Sequence, residues 1–118
     1  QLDDSIPTLA RSVQSKGYDT GAFVAAFVLH AKFGLNQGFN VYNDAVHGFG
    51  PNDGHAHPQG ERNAAAVIDA ALAWLKKPRT APFLCWVHLY DPHSPYDPHA
   101  TEFGTRYQMQ PYDGEIAY

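Results

Sequence analysis

Phe83-Leu84-Cys85-Trp86-Val87-His88-Leu89 is apolar almost without interruption, and Tyr90-Asp91-Pro92-His93-Ser94-Pro95-Tyr96-Asp97-Pro98-His99 follows it with an abrupt change of chemistry. The first run has the continuous hydrophobicity of a strand buried on both faces. In the second, Pro92, Pro95 and Pro98 deny the backbone both helix and central strand, so it reads as a stiff loop at the carboxyl end of that strand. In open α/β sheets that edge is where ligands bind.

Working upstream, Glu61 to Lys77 carries an apolar stripe of Ala64, Val67, Ile68, Ala71, Leu72 and Leu75. With Glu61 at the positive end of the dipole and Lys76-Lys77 at the negative end, the segment predicts a helix. Pro78 and Pro82 break the chain before the strand. A helix feeding a buried strand is half of an α/β crossover unit, so the expected class is α/β, a sheet with flanking helices. Thr20 to Ala25 predicts another strand buried on both faces, and Phe39 to Tyr42 a short one. Between them, Phe27 to Phe33 reads either as a helical turn or as extended chain, ahead of a loop at Gly34 to Gly38. Ser5-Ile6-Pro7 reads as a helix start with Ser5 as the cap, Ile6, Leu9, Ala10 and Val13 on one face, and Gly17 as the stop. Asn43 to Gly60, dense in glycine and histidine, predicts a surface loop, and Tyr112 to Tyr118 a first helical turn.

The chain has 118 residues, 44% of them hydrophobic, which fits one compact unit or part of a larger one. Its formal charge of −4 comes with no basic run longer than Lys76-Lys77, so nucleic acid is not an expected partner. The most apolar stretch, Ala22 to Leu29, is far shorter than the roughly 20 residues of a membrane span. Gln1-Leu2-Asp3-Asp4 has neither a start methionine nor a leader, and reads as a cut or processed end. Cys85 is the single cysteine, which excludes an internal disulfide and a cysteine zinc cluster and leaves the compartment open.

Seven histidines against eight Lys plus Arg prompt a search for a site. His93, on the proline-stiffened loop, is the leading candidate, because rigid support suits a group that must meet a substrate; the competing reading is a turn with a solvated imidazole. His88, near the end of the strand, reads either as a core histidine bonded to a backbone carbonyl or as a substrate ligand. His55-Ala56-His57 offers two ligands on a flexible loop, too few to define a metal centre, and His30, His47 and His99 have no partner visible in sequence. Cys85 fits a small buried hydrophobe. No nucleophile elbow, phosphate-binding glycine loop, dinucleotide fingerprint or zinc-protease motif occurs.

Several separated segments resemble, in order, those of the sulfatase family within the alkaline-phosphatase-like superfamily. Leu9-Ala10 through Lys16-Gly17-Tyr18-Asp19-Thr20-Gly21-Ala22-Phe23-Val24 is similar to the family's helix ending in Gly-Tyr with a strand opening on Thr-Ala. Gln37-Gly38-Phe39-Asn40-Val41-Tyr42 resembles its Gly-Phe-Asp-x-Tyr segment, and Arg62 to Leu75 the helix before the central strand. Pro82 to Tyr96 is similar to the central strand with its His-x-Pro loop, and Pro111 to Tyr118 to the start of the next helix.

The resemblance implies a large α/β hydrolase of sulfate esters, or of phosphate or phosphonate esters in some branches, that uses a divalent metal, expected to be calcium, and a covalent intermediate. Small-molecule esters are then the expected partners. The family's nucleophile is a formylglycine made in a Cys-x-Pro-x-Arg type motif, which Cys85-Trp86-Val87-His88-Leu89 does not match. Residues 1–118 are therefore expected to be an internal portion of the catalytic domain that lacks the nucleophile and the metal-ligand segments. No metal ligand is assigned in it, Asp3-Asp4 included, and no metal is expected to bind it. By the same resemblance His93 faces the sulfate group; His88 stands beside it as a candidate substrate contact read from its place near the end of the strand. Where many sulfatases carry Gly-Lys-Trp-His, this chain reads Val24-Ala25-Ala26-Phe27, so Ala25 and Phe27 replace the Lys and His. The alternative expectation is a small binding module that holds a metal or partner with His47, His55 and His57.

Overall fold

The computed structural model describes residues 2–3, 5–45 and 62–118. The elements run α1 (Leu9–Gln14), β1 (Asp19–Val24), β2 (Val41–Asn43), α2 (Ala64–Leu75), β3 (Phe83–His88), α3 (Ala100–Phe103) and α4 (Pro111–Ala117). The strands form one parallel sheet in the order β2-β1-β3. Parallel neighbours need crossovers, and α2 provides the one that carries the chain from β2 past β1 to β3. The class is α/β, as the strand and helix patterns predict.

β1 sits between its two partners and is buried from Thr20 to Val24, which is why it shows no polar alternation. On one face Phe23, Ala25, Val67, Ala71 and Trp74 form the core cluster, with Cys85 and Tyr90 packed against it. Gly21 is required there: a Cβ would lie 2.9 Å from Trp74 Cε2, so only glycine lets α2 settle onto the strand. Arg79 covers the far side of the indole at 4.0 Å and pairs with Asp19 at 3.3 Å. On the other face Phe39 stacks on Trp86 at 5.9 Å, and α1 packs against β1. The buried Thr20 is satisfied by exchange with Asn40: Thr20 N donates to Asn40 Oδ1 at 3.0 Å and Asn40 N to Thr20 Oγ1 at 2.9 Å.

The structure amends the sequence reading at several points. α1 is capped by Thr8, whose hydroxyl accepts from Arg11 N at 3.2 Å, while Ser5 instead turns back to Asp3. Only Ala10 of the α1 stripe is buried, and Gly17 ends the turn at φ +84° as expected. Phe27 to Phe33 resolves into two consecutive 3-10 turns. β3 is not buried on both faces: it is paired on one side only among the described residues, and Phe83, Val87 and Leu89 are exposed. On α2 the buried row is Val67, Ala71 and Trp74, whereas Ile68, Leu72 and Leu75 face outward. Trp74, the largest apolar side chain of the helix, sets the rotation by filling the space over Gly21. Glu61 and the stretch from His47 to Gly60, with His55 and His57, lie outside the described residues.

Candidate active site at the carboxyl edge of the sheet

All three strands point the same way, so Asn43, Val24 and His88 end on one edge and the segments after them meet there. Arg62 N donates to Ala25 O at 2.9 Å, which brings the start of α2 to the end of β1. Asn63 then caps α2 by accepting from Ala66 N at 3.0 Å. The Arg62 guanidinium donates to the Asn43 side chain and, at 2.8 Å, to Ala66 O. Burial lowers its pKa, and the nearby Asp44 opposes this; an arginine remains a cation throughout.

His93 stands on the loop after β3, where the Asp91-Pro92 and Ser94-Pro95 bonds are cis. Its Nδ1 lies 2.8 Å from Ser94 O, and since a carbonyl only accepts, that nitrogen carries a proton. With Nδ1 protonated, Nε2 of a neutral ring would be an acceptor, and it lies 3.1 Å from the Tyr90 hydroxyl, with the two rings 4.2 Å apart. Arg62, Tyr90, Asp91, His93 and Glu115 line one shallow recess. His88 does not line it; its Nδ1 is buried with no hydrogen-bond partner among the described residues. His30 accepts from Lys32 N at 3.1 Å and lies 3.5 Å from Asp44. Cys85 is half-buried, and burial pushes its thiol pKa up, with Arg79 opposing, which fits a packing role.

A second recess of about 200 Å³ shares the Asp91 and Glu115 wall. Asp91, Asp97, Glu102 and Glu115 face it, together with His99 and Tyr118, and among the described residues no Lys or Arg lines it. Burial raises the pKa of the Tyr118 phenol, and Glu102, Asp91, Asp69 and Asp97 raise it further. The oxygen-rich calcium site that the resemblance implies does not fit the residues described. Calcium takes roughly 6 to 8 oxygen ligands. Asp3 Oδ1 is already engaged by the N–H and hydroxyl of Ser5, at 2.8 and 2.6 Å. The groups around Asp91 include an imidazole.

The sequence singles out His93 and gives no comparable weight to Arg62, Tyr90 or the grouping of His99 with Glu115. Arg62 carried a signal, as the cation directly before the helix cap. The pairing of His99 with Glu115 joins two segments that no sequence spacing connects. No helix among the described residues is long and apolar enough to cross a membrane. The sulfatase family model matches residues 1–118. No curated protein and no solved structure matches the chain.

Proposed function

The chain belongs to the sulfatase family, and on that premise we propose that it forms the part of a sulfate-ester hydrolase that receives the anionic group of the substrate. The observation that supports this reading is the shared recess of His93 and Arg62 at the carboxyl edge of a parallel sheet. Arg62 lies against Ala25, where the family resemblance expects a lysine, and offers the planar fork of donors that suits a sulfate or phosphate group. It replaces the cation that Ala25 and Phe27 do not supply.

His93 takes the role of acid. Protonation at Nε2 converts it from an acceptor of the Tyr90 hydroxyl into a donor toward the ester oxygen. The hydrogen bond from Nδ1 to Ser94 O keeps the ring in one orientation while this happens. The nucleophile and the family's divalent metal belong to other segments of the intact enzyme, and the 118 residues alone have no ester turnover. His88, set apart from the recess, is a weaker substrate contact than His93 in this reading.

The test is steady-state hydrolysis of 4-nitrophenyl sulfate by the intact enzyme, with the phosphate analogue beside it to fix the substrate class. His93→Ala should lower kcat/KM by roughly 10²-fold, the scale of one positioned donor or acid. Arg62→Ala should act mainly on KM, with partial recovery in Arg62→Lys. Unchanged kinetics in both alanine variants would sink the reading.

A further inference from the structure

We propose that Asp91, His99 and Glu115 form a binding site for a divalent first-row transition ion of the zinc type. The three residues come from separate places: the loop after β3, the residue before α3, and α4. One ligand atom from each lies within 4.8 Å of the other two. Around a tetrahedral zinc with bonds near 2.0 to 2.2 Å, neighbouring ligand atoms are roughly 3.3 to 3.6 Å apart. His99 Nε2 and Glu115 Oε2 are 3.5 Å apart, so only small side-chain shifts separate this arrangement from a closed one.

Burial turns the grouping into a site. The Glu115 side chain is 5% exposed and that of His99 11%. Asp91 Oδ2, His99 Nε2 and Glu115 Oε2 are all buried, and none has a hydrogen-bond partner among the described residues. Leaving such an atom unmatched is costly, and buried charges are ordinarily paired or bound to a metal. The remaining bonds aim these atoms inward. Glu115 Oε1 accepts from Asp97 N at 2.7 Å, which leaves Oε2 as the free oxygen. Asp97 Oδ1 accepts from His99 N at 2.7 Å, and Tyr118 stacks flat on the imidazole at 3.9 Å, which fixes its plane.

A protonated His99 would offset one carboxylate, and Arg62 lines the neighbouring recess with Asp91 and Glu115, whereas this recess presents Asp97 and Glu102 as well and, among the described residues, no Lys or Arg. A divalent cation matches that charge. The mixed set of one nitrogen and two oxygens favours zinc, iron or cobalt over calcium or magnesium. The recess beside the triad, about 200 Å³, has room for water to complete the coordination of such an ion.

The experiment is calorimetric titration of Zn²⁺ into the intact protein after chelation and dialysis, a readout independent of ester hydrolysis. We expect His99→Gln and Glu115→Gln each to weaken the zinc site by at least about tenfold. Co²⁺ should give a visible absorption band that His99→Gln abolishes. The double variant His55→Ala/His57→Ala should keep the site. Thermal melts of the metal-free variants check folding, and Asp91→Asn serves if either buried substitution unfolds the protein. Three results would overturn the proposal: no saturable Zn²⁺ binding, binding indifferent to the triad variants, or binding lost with His55 and His57.

Discussion

Tyr42 shows how one side chain ties the first half of the chain together. Its hydroxyl donates to Leu29 O at 2.6 Å, across the turn between β1 and β2. Burial, with a smaller contribution from Asp44, pushes its pKa from 10.0 up to about 12. The folded state therefore holds the phenolic proton more tightly than the unfolded chain does. The resulting stability is fully present below pH 10 and is lost as the pH rises toward 12. Absorbance titration at 295 nm should show one tyrosine ionising near pH 12, and Tyr42→Phe should remove that step while costing about 1 kcal/mol for the lost hydrogen bond. At this scale, the sequence discloses a group only when its chemistry is local. His93 stands out because prolines flank it, whereas His99 becomes meaningful only when α4 folds back to bring Glu115 within 3.5 Å.

Among the elements, α2 does most to define the site, since its row of Val67, Ala71 and Trp74 packs on the sheet and its N-terminal end delivers Arg62 and Asn63 to the recess. Its first turn depends on the Asn63 cap. Asn63→Ala should cost about 1 kcal/mol in urea denaturation, and because the same turn positions Arg62, it should also weaken substrate binding in the intact enzyme. The helix itself was legible from its apolar spacing, and so were β1, the Gly17 stop and the loop after β3. The rotation of α2 was not. A stripe that includes Ile68, Leu72 and Leu75 is as periodic as the row of Val67, Ala71 and Trp74, and what chooses between them is the absence of a side chain at Gly21 on another element. For a similar reason β3 reads as a central strand and, among the described residues, stands at an edge: an apolar run records the burial a strand can accept, while its neighbours determine what it receives.

Across the whole molecule, the chain divides into a sheet held from both faces and a rim held by scattered polar contacts. The core cluster lies on β1 and α2, while the region from Asp91 to Tyr118 has Glu115 and Gly114 as its only buried residues. Gly114 is pressed against Pro98, where a Cβ would come within 3.0 Å of the backbone, so the rim is secured by close approach of main chains more than by apolar area. The central position of β1 between two parallel partners has a kinetic consequence. Amide protons of residues 20 to 24 point alternately to the two sides of β1, so exposing the whole set requires β1 to part from both flanks, which amounts to opening the whole unit. Those of residues 91 to 99 need only a local excursion. In deuterium exchange followed by mass spectrometry, peptides from β1 should therefore label last, at a rate that tracks global stability, while the His93 loop labels early and independently of added denaturant. Uniform labelling of the two would mean that the loop and the sheet open as one body; separate rates would mean that the loop carrying His93 can rearrange many times during the lifetime of a single folded core.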